Sequence, residues 1–402
     1  MKQATTFILL AFMVVRSFAV VPKEILDETL APVWIDQSPG TEYRSDVQSY
    51  AMVIGLERTP RGRYWAAWVG GGDDENALFV VASSDDDGAT WSRPRLVIDP
   101  ADRTDGLKMR TLVGNLWTDP LGRLWLFYDQ AWTYFDGRAG NWAIVCKDPD
   151  ADHPQWSTPQ RIWHGCTLNK PTVLANGDWL LPISLWTRDH ILDPRFSNAH
   201  LDLDDLRMAH VFASCDQGKT WRRRGGIAVP ERRFDEHMFV ELKDGRIWTL
   251  IRTNYGLAES FSSDQGRTWT EPQPSKIKHV RRGARIFLRR LTSGNLLLVK
   301  HGWIDEALTA RSHLRAFISS DEGKTWRGGL LLDGRTGVSY PDGIQDEQGR
   351  IAIIYDRERA RQREILLARF TEADVLAKRF DSPGAFTQRI INKATGPAKE
   401  QK

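Results

Sequence analysis

Two adjacent acids stand in GGGDDENAL (70–78), and a third stands in FDEHMFVEL (234–242). Arginines follow in LIRTN (250–254) and RSHLRAFISSD (311–321), and a tyrosine in VSYPDGIQ (338–345). Asp73, Asp74 and Glu236 are groups that can move protons. Arg252 and Arg311 can grip an oxyanion through paired hydrogen bonds. Tyr340 can attack carbon if a neighbouring base takes its proton, because an unperturbed phenol titrates near ~10. These residues are remote in the chain, so any joint chemistry depends on a fold that gathers them.

Two repeated marks supply that fold. The first is a Gly turn between apolar runs, as in TPRGRYWAAW, DPLGRLWLFY and LKDGRIWTLI, with glycines at 62, 122, 177, 245, 294 and 349. Each copy reads as a β-hairpin whose turn needs a positive φ. The second mark is S-x-D-x-G-x-T-W, written SDDDGATW (84–91), SCDQGKTW (214–221), SSDQGRTW (262–269) and SSDEGKTW (319–326), with a degenerate copy at 147–156. The unit is strand, Gly turn, strand, loop, strand, D-x-G turn, strand. Six units of four strands predict an all-β, six-bladed β-propeller of antiparallel blades with Asp-box turns. The last unit lacks its D-x-G copy, so PVWIDQ (32–37) is expected to supply its fourth strand and close the ring. In each box the Asp can accept N–H bonds within its own turn. Four equivalent acids cannot all serve one site, so the motif is structural.

Strand polarity sorts the polar residues. Strand one runs into the Gly turn and strand two runs out, so Gly turns and Asp boxes share one side. Asp73, Asp74, Glu236, Arg252, Arg311 and Tyr340 all fall on the opposite side. Asn115, Asn169 and Lys170 in LNKP, His190, Tyr255, and Arg357 with Arg359 in YDRERAR reach that side by the same counting.

The S-x-D-x-G-x-T-W motif resembles the Asp box of the sialidase family, and the resemblance covers nearly all of the chain after residue 19. The resemblance implies an acid in DDENAL, with Asp74 the better fit, and a Glu before a strand-turn-strand unit ending in Arg, matched by Glu236 and Arg252. It further implies an Arg ten residues before an Asp-box acid, as Arg311 precedes Asp321, and a Tyr in a stretch like Tyr340-Pro341-Asp342-Gly343. The implied activity is a retaining exo-glycosidase acting on sialic acid or a related acidic sugar. Sialidases use a Tyr nucleophile in place of the usual second carboxylate. Tyr340 would attack, Glu236 would take its proton, and Asp74 would protonate the leaving oxygen. Arg252 and Arg311 would hold the substrate carboxylate, with Tyr50, Asp73, Asn169, Lys170 and Arg357 lining the pocket. The family's first carboxylate-binding Arg has no counterpart, since Tyr50, Ala51 and Met52 occupy its place.

Two other functions fit the same pattern. One is a propeller polysaccharide lyase using Tyr340, His164, His190 or His237 as the base on a uronate; the other is a non-catalytic carbohydrate-binding propeller. A net charge of +3 in 402 residues gives no electrostatic case for nucleic acid. No metal-ligand or phosphate-loop spacing is present, so no cofactor or metal is expected. Lys2, the apolar run FILLAFMVV and Ser17-Phe18-Ala19 read as a secretory signal peptide cleaved after Ala19. The expected organisation is a signal peptide at 1–19, a propeller at 20–370, and a short helix with a polar tail at 371–402. The product would be secreted or periplasmic, with no membrane attachment once processed. Three cysteines (146, 166, 215) allow at most one disulfide.

Overall fold

All six turn glycines, from Gly62 to Gly349, take a positive φ between +78° and +101°, and each joins the first two strands of a blade. A computed structural model describes residues 20–100 and 106–397 of the chain. The expected signal peptide lies outside these described residues.

The blades begin at Met52–Arg58, Gly114–Thr118, Thr172–Val173, Arg232–Glu241, Phe287–Arg290 and Val338–Gln345. Each continues through three further antiparallel strands; the second blade adds a two-residue strand, Met109–Arg110, paired with Ala131 and Trp132. The fold is therefore a six-bladed β-propeller. First strands of adjacent blades pack together around the axis, and Met52–Arg58 meets Val338–Gln345 where the ring closes. Tyr64 pairs with Ser84, Trp179 with Ser214, Ile247 with Ser262 and Leu296 with Ser319. These pairs put every Asp box beside a Gly turn, on the side that polarity predicts.

The boxes carry out the structural role expected of them. Asp86 accepts from the Thr90 amide at 2.8 Å and the Thr90 hydroxyl at 2.6 Å, while Ser84 Oγ accepts from the Gly88 amide at 3.0 Å. Asp216, Asp264 and Asp321 repeat the pattern. Hydrogen bonds to the ionised form hold all four carboxyls down at about 2. The Gly has a further role. A Cβ at Gly218 would lie 2.5 Å from Trp125 in the preceding blade, and one at Gly323 would lie 2.8 Å from Trp248 in its preceding blade. The box thus seals one blade against the last, and it recurs because the seam recurs. Trp117, Trp125, Trp179 and Trp221 fill one such seam, with the Trp117 and Trp179 rings edge-on at 4.8 Å.

Ring closure departs from expectation. The fourth strand of the sixth blade is Phe386–Lys393, paired with Glu364–Phe370. PVWIDQ lies elsewhere: Asp36 bridges Val97 on the outer strand of the first blade. FTQRIINK supplies the edge strand from within the C-terminal segment, so the propeller runs to Lys393 rather than stopping at 370. The short helix Glu372–Ala377 forms as expected, with Thr371 and Asp374 making a capping box. All three cysteines are free thiols.

A buried polar cluster ties the axis together. Lys170 Nζ donates to the Leu56 and Leu116 carbonyls and pairs with Glu57 at 2.7 Å and Asp342 at 3.0 Å. Arg285 pairs with Asp342 at 3.1 Å and donates to Asn169 Oδ1 at 2.9 Å. Asn169 in turn donates to the Glu236 carbonyl at 2.7 Å. Buried charges persist only when paired and fully bonded. This cluster meets that condition by drawing on all six blades.

Candidate functional site

Two backbone distortions build the site. Phe234, Asp235 and Glu236 take φ values of 60°, 57° and 45°, and the pairing register slips on both sides of Asp235. Tyr340 takes φ 50° within a second slip, between Ser339 and Asp342. Left-handed backbone at bulky residues costs of order 1–3 kcal/mol each and survives only where its surroundings fix it. Here the bulges re-aim two side chains from the innermost strands toward the axis. The Tyr340 hydroxyl donates to Glu236 Oε1 at 2.8 Å. Arg252 Nη1 donates to the same oxygen at 2.6 Å. Glu236 Oε2 is buried with no partner among the described residues.

Tyr340 and Arg252 face a cavity of about 260 Å³ on the side away from the Asp boxes, with Glu236 buried and bonded to both. Its polar lining is Asp73, Arg233, Arg252, Arg311, Tyr340 and Arg359; Met52, Leu112, Val113, Tyr134, Leu168, Trp186 and Phe234 supply the apolar wall. Arg311 has no carboxylate within ion-pairing distance among the described residues, and its Nη1 donates to Ser339 Oγ at 2.8 Å. Burial, then the guanidiniums of Arg359 and Arg252, pull Arg311 down to about 10. The Tyr340 hydroxyl moves the other way. Burial and the Glu236 carboxylate raise it to about 12, against the opposing pull of Arg359, Arg252 and Arg311. The guanidinium carbon of Arg359 lies 3.9 Å from the Tyr340 ring centroid, and those of Arg311 and Arg285 lie at 5.7 Å. A phenol inside a cage of cations, bonded to a carboxylate that can take its proton, is equipped to become a nucleophile. Positive charge in excess of negative around a concave site favours an anionic ligand.

Of the residues singled out by sequence, Arg252, Arg311, Tyr340 and Asp73 line this cavity, and Glu236 is bonded to Tyr340 and Arg252 without lining it. Asp74 stands apart. Its carboxylate turns back to accept from the Asn76 amide and side chain, both at 2.8 Å, on the exposed surface. Arg357 is also elsewhere, bonded to Glu364 at 3.0 Å. Asn169 and Lys170 belong to the axial cluster beneath the cavity. Tyr50 is buried behind the wall, its hydroxyl directed at the Met52 sulfur. None of the three histidines considered for lyase chemistry lines the cavity. His237 is bonded to the His210 carbonyl at 2.8 Å, His164 to Arg161, and His190 packs on Phe234 with ring centroids 4.2 Å apart. Arg233, Tyr134, Trp186 and Phe234 were not anticipated. Arg233 and Phe234 adjoin Glu236 in sequence, and only the bulge brings them to the wall.

The family profile of the BNR repeat-like domain matches residues 62–353. The chain belongs to that family. Its fold is that of a sialidase-like BNR propeller. The intramolecular trans-sialidase from Ruminococcus gnavus, solved with oseltamivir carboxylate, superposes with a TM-score of 0.63 at 14% identity, covering 83% of this chain and 97% of that one. The leech intramolecular trans-sialidase, solved with 2,7-anhydro-Neu5Ac, gives a TM-score of 0.65 at 13% identity, covering 89% and 73%. A protein of unknown function from Dyadobacter fermentans gives 0.55 at 16%, covering 81% and 95%. At these identities the likeness is one of fold. No curated protein matches the chain by sequence.

Proposed function

We propose that the protein is an exo-glycosidase that removes a terminal acidic sugar with its carboxylate on the anomeric carbon, by a retaining mechanism with Tyr340 as nucleophile. The observation that carries this reading is the Tyr340–Glu236 hydrogen bond inside a ring of arginines. Those arginines crowd the Tyr itself, so a bound carboxylate would lie next to the carbon under attack. A carboxylate nucleophile would be repelled there, whereas a neutral phenol is not. A uronate carries its acid across the ring, away from the anomeric carbon. The fold shared with trans-sialidases supports the same sugar class.

Tyr340 oxygen bonds to the anomeric carbon as the bond to the leaving oxygen breaks. Glu236 takes the phenolic proton, and Asp73 gives its proton to the leaving group. In the second half Asp73 takes a proton from water, the water oxygen displaces Tyr340, and Glu236 returns the proton to the phenolate. Arg252 and Arg311 hold the substrate carboxylate throughout. Asp73 replaces Asp74 in this role because Asp73 faces the cavity. The apolar run and Ser17-Phe18-Ala19 ending support export with cleavage after Ala19, which would bring such an enzyme to glycans outside the cell.

The test compares methylumbelliferyl ketosides of N-acetylneuraminic acid and 3-deoxy-octulosonic acid with methylumbelliferyl glucuronide. Release from a ketoside, with the first product keeping its anomeric configuration, is expected. Turnover of the glucuronide alone, or an unsaturated product with new ultraviolet absorbance, would point instead to uronate chemistry. Retention of all three sugars without turnover would make the protein a binder.

A further inference from the structure

We infer that the Asp-box end of the axis holds a second binding site, which takes a small carboxylate with an apolar body. This site is separate from the glycosidase reading and does not depend on it. A cavity of about 250 Å³ opens there, lined by the innermost strands of four blades and the residues leading into them. Trp117, Val173, Glu241 and Arg290, one from each of the second to fifth blades, stand four or five residues before a turn glycine. The first strand of the third blade is only Thr172–Val173, whereas the other five first strands run to between four and ten residues. The short strand leaves the axis unfilled at that end. Lys170 closes the floor, its ammonium engaged by the Leu56 and Leu116 carbonyls, Glu57 and Asp342. The axial cluster therefore separates this cavity from the one beside Tyr340.

The cavity is preformed and mostly apolar. Thr172 Oγ1 donates to the Phe239 carbonyl at 2.7 Å and Arg290 Nη2 to the Glu241 carbonyl at 2.8 Å, so side chains of the third and fifth blades hold the wall of the fourth. Trp117, Val173, Met238, Phe239, Phe287 and Leu288 supply the apolar lining. Val173 remains 41% exposed although it stands on an innermost strand. Water against such a wall has few bonding partners, and an apolar body that displaces it is favoured. The volume equals that of about eight waters at ~30 Å³ each, room for a bicyclic ring or a short acyl chain. One charge at the mouth is uncommitted. Arg290 is bound to Glu322 by two bonds, at 3.0 and 2.5 Å, whereas the half-buried Arg289 guanidinium has no hydrogen bond or ion pair to any described residue. Glu241 is the acid on the wall, and its Oε2 accepts the Ala175 amide at 2.6 Å. Lys243 pairs with Glu322 as well. Lys243, Arg289 and Arg290 thus outnumber Glu241 and Glu322, and the mouth favours the anionic end of a ligand.

The experiment is calorimetric titration of the full chain at low ionic strength with 2-naphthoate, and with 2-naphthamide as the neutral comparison. Proteins compared are the wild type, Arg289→Gln, Val173→Glu and Arg311→Met, each checked by its melting transition. The wild type is expected to bind both probes, the naphthoate about tenfold more tightly, as one charge-assisted hydrogen bond requires. Arg289→Gln should bring the two affinities within about twofold while leaving the amide unchanged. Val173→Glu puts a like charge in the mouth at an exposed position and should weaken naphthoate at least tenfold, so either variant alone can decide the matter. Arg311→Met alters the other, arginine-rich cavity and should still bind one equivalent of naphthoate. A wild type that binds neither probe, or binds both equally, overturns the inference. So does naphthoate binding that is lost in Arg311→Met and kept in Arg289→Gln and Val173→Glu, because the probe would then lie beside Tyr340.

Discussion

Glu236→Gln offers a direct test of the Tyr–Glu pair. The amide still presents an oxygen to the Tyr340 hydroxyl and to Arg252, which now lie 2.8 Å and 2.6 Å from Glu236 Oε1, but it cannot take a proton. Tyr340 must then lose its proton to solvent. A phenol held at about 12 is ionised at neutral pH in roughly one part in ~10⁵. That fraction bounds the loss. The variant recovers some of it, because the Glu236 charge is the second cause of the raised value and goes with the substitution. General-base catalysis is commonly worth ~10²–10⁴-fold, so kcat/KM at neutral pH should fall by about 10³, or ~4 kcal/mol in activation free energy. The loss should shrink as pH rises, about tenfold per unit, because hydroxide restores the phenolate that Glu236 would have produced. The assay is ketoside hydrolysis in a pH series, with the melting transition followed in parallel. A variant within threefold of the wild type at neutral pH would refute the pairing. So would a loss that stays constant across the alkaline range, since that would mean damage to the site rather than removal of a base.

Three further outcomes follow from the geometry. Asp73→Asn should cut turnover of natural glycosides by ~10²–10⁴ and of aryl ketosides far less, because a phenol leaves without a proton; Asp74→Asn should stay within about threefold on both, and the reverse ranking would return the role to Asp74. Truncation after Ala385 removes the five-residue pairing of Phe386–Lys393 with Glu364–Phe370, about 5 kcal/mol at ~1 kcal/mol per ladder bond, and bares a strand edge; a soluble monomer melting with the wild type would contradict that. The four Asp-box carboxyls, held at about 2 in the fold, stabilise it above their unfolded value near ~4. Stability should therefore be complete above pH ~4 and fall as pH drops toward 2, and replacing one box Asp by Asn should flatten that part of a denaturation curve.

The fold was legible because its signals are local and repeated. A Gly that must take positive φ and an Asp that bonds its own turn are chosen by contacts within a few residues, and six or four copies average out noise. Closure was less legible, because it depends on which of two terminal segments reaches an edge. PVWIDQ and FTQRIINK are both short stretches with a few apolar residues, and only packing assigns the first to Val97 in the first blade and the second to Glu364–Phe370 in the sixth.

The site divides in the same way, and two of its misplaced residues, Asp74 and Arg357, share a cause. Counting strands tells which end of a blade a residue occupies. That is enough to bring Glu236, Arg252, Arg311 and Tyr340 to one side of the ring, although the bulges rather than the count aim Glu236 and Tyr340. It does not tell which way a side chain points once the chain has left the ladder. Neighbouring residues in extended chain face opposite ways, so one left-handed residue or one tight turn exchanges the roles of close candidates. Gly71, at φ +78°, opens the loop in which Asp73 rather than Asp74 reaches the cavity. Glu358, at φ 47°, does the same for Arg359 over Arg357, which stays in register opposite Glu364. Glu358 is not a residue type that announces a left-handed turn. Its conformation is set by backbone bonds to Gly337 and, through Arg359, to Ala51, contacts between segments far apart in sequence. Arg359 thus reaches the cavity through the seam between the sixth blade and the first, where the Ala51 amide donates to its carbonyl.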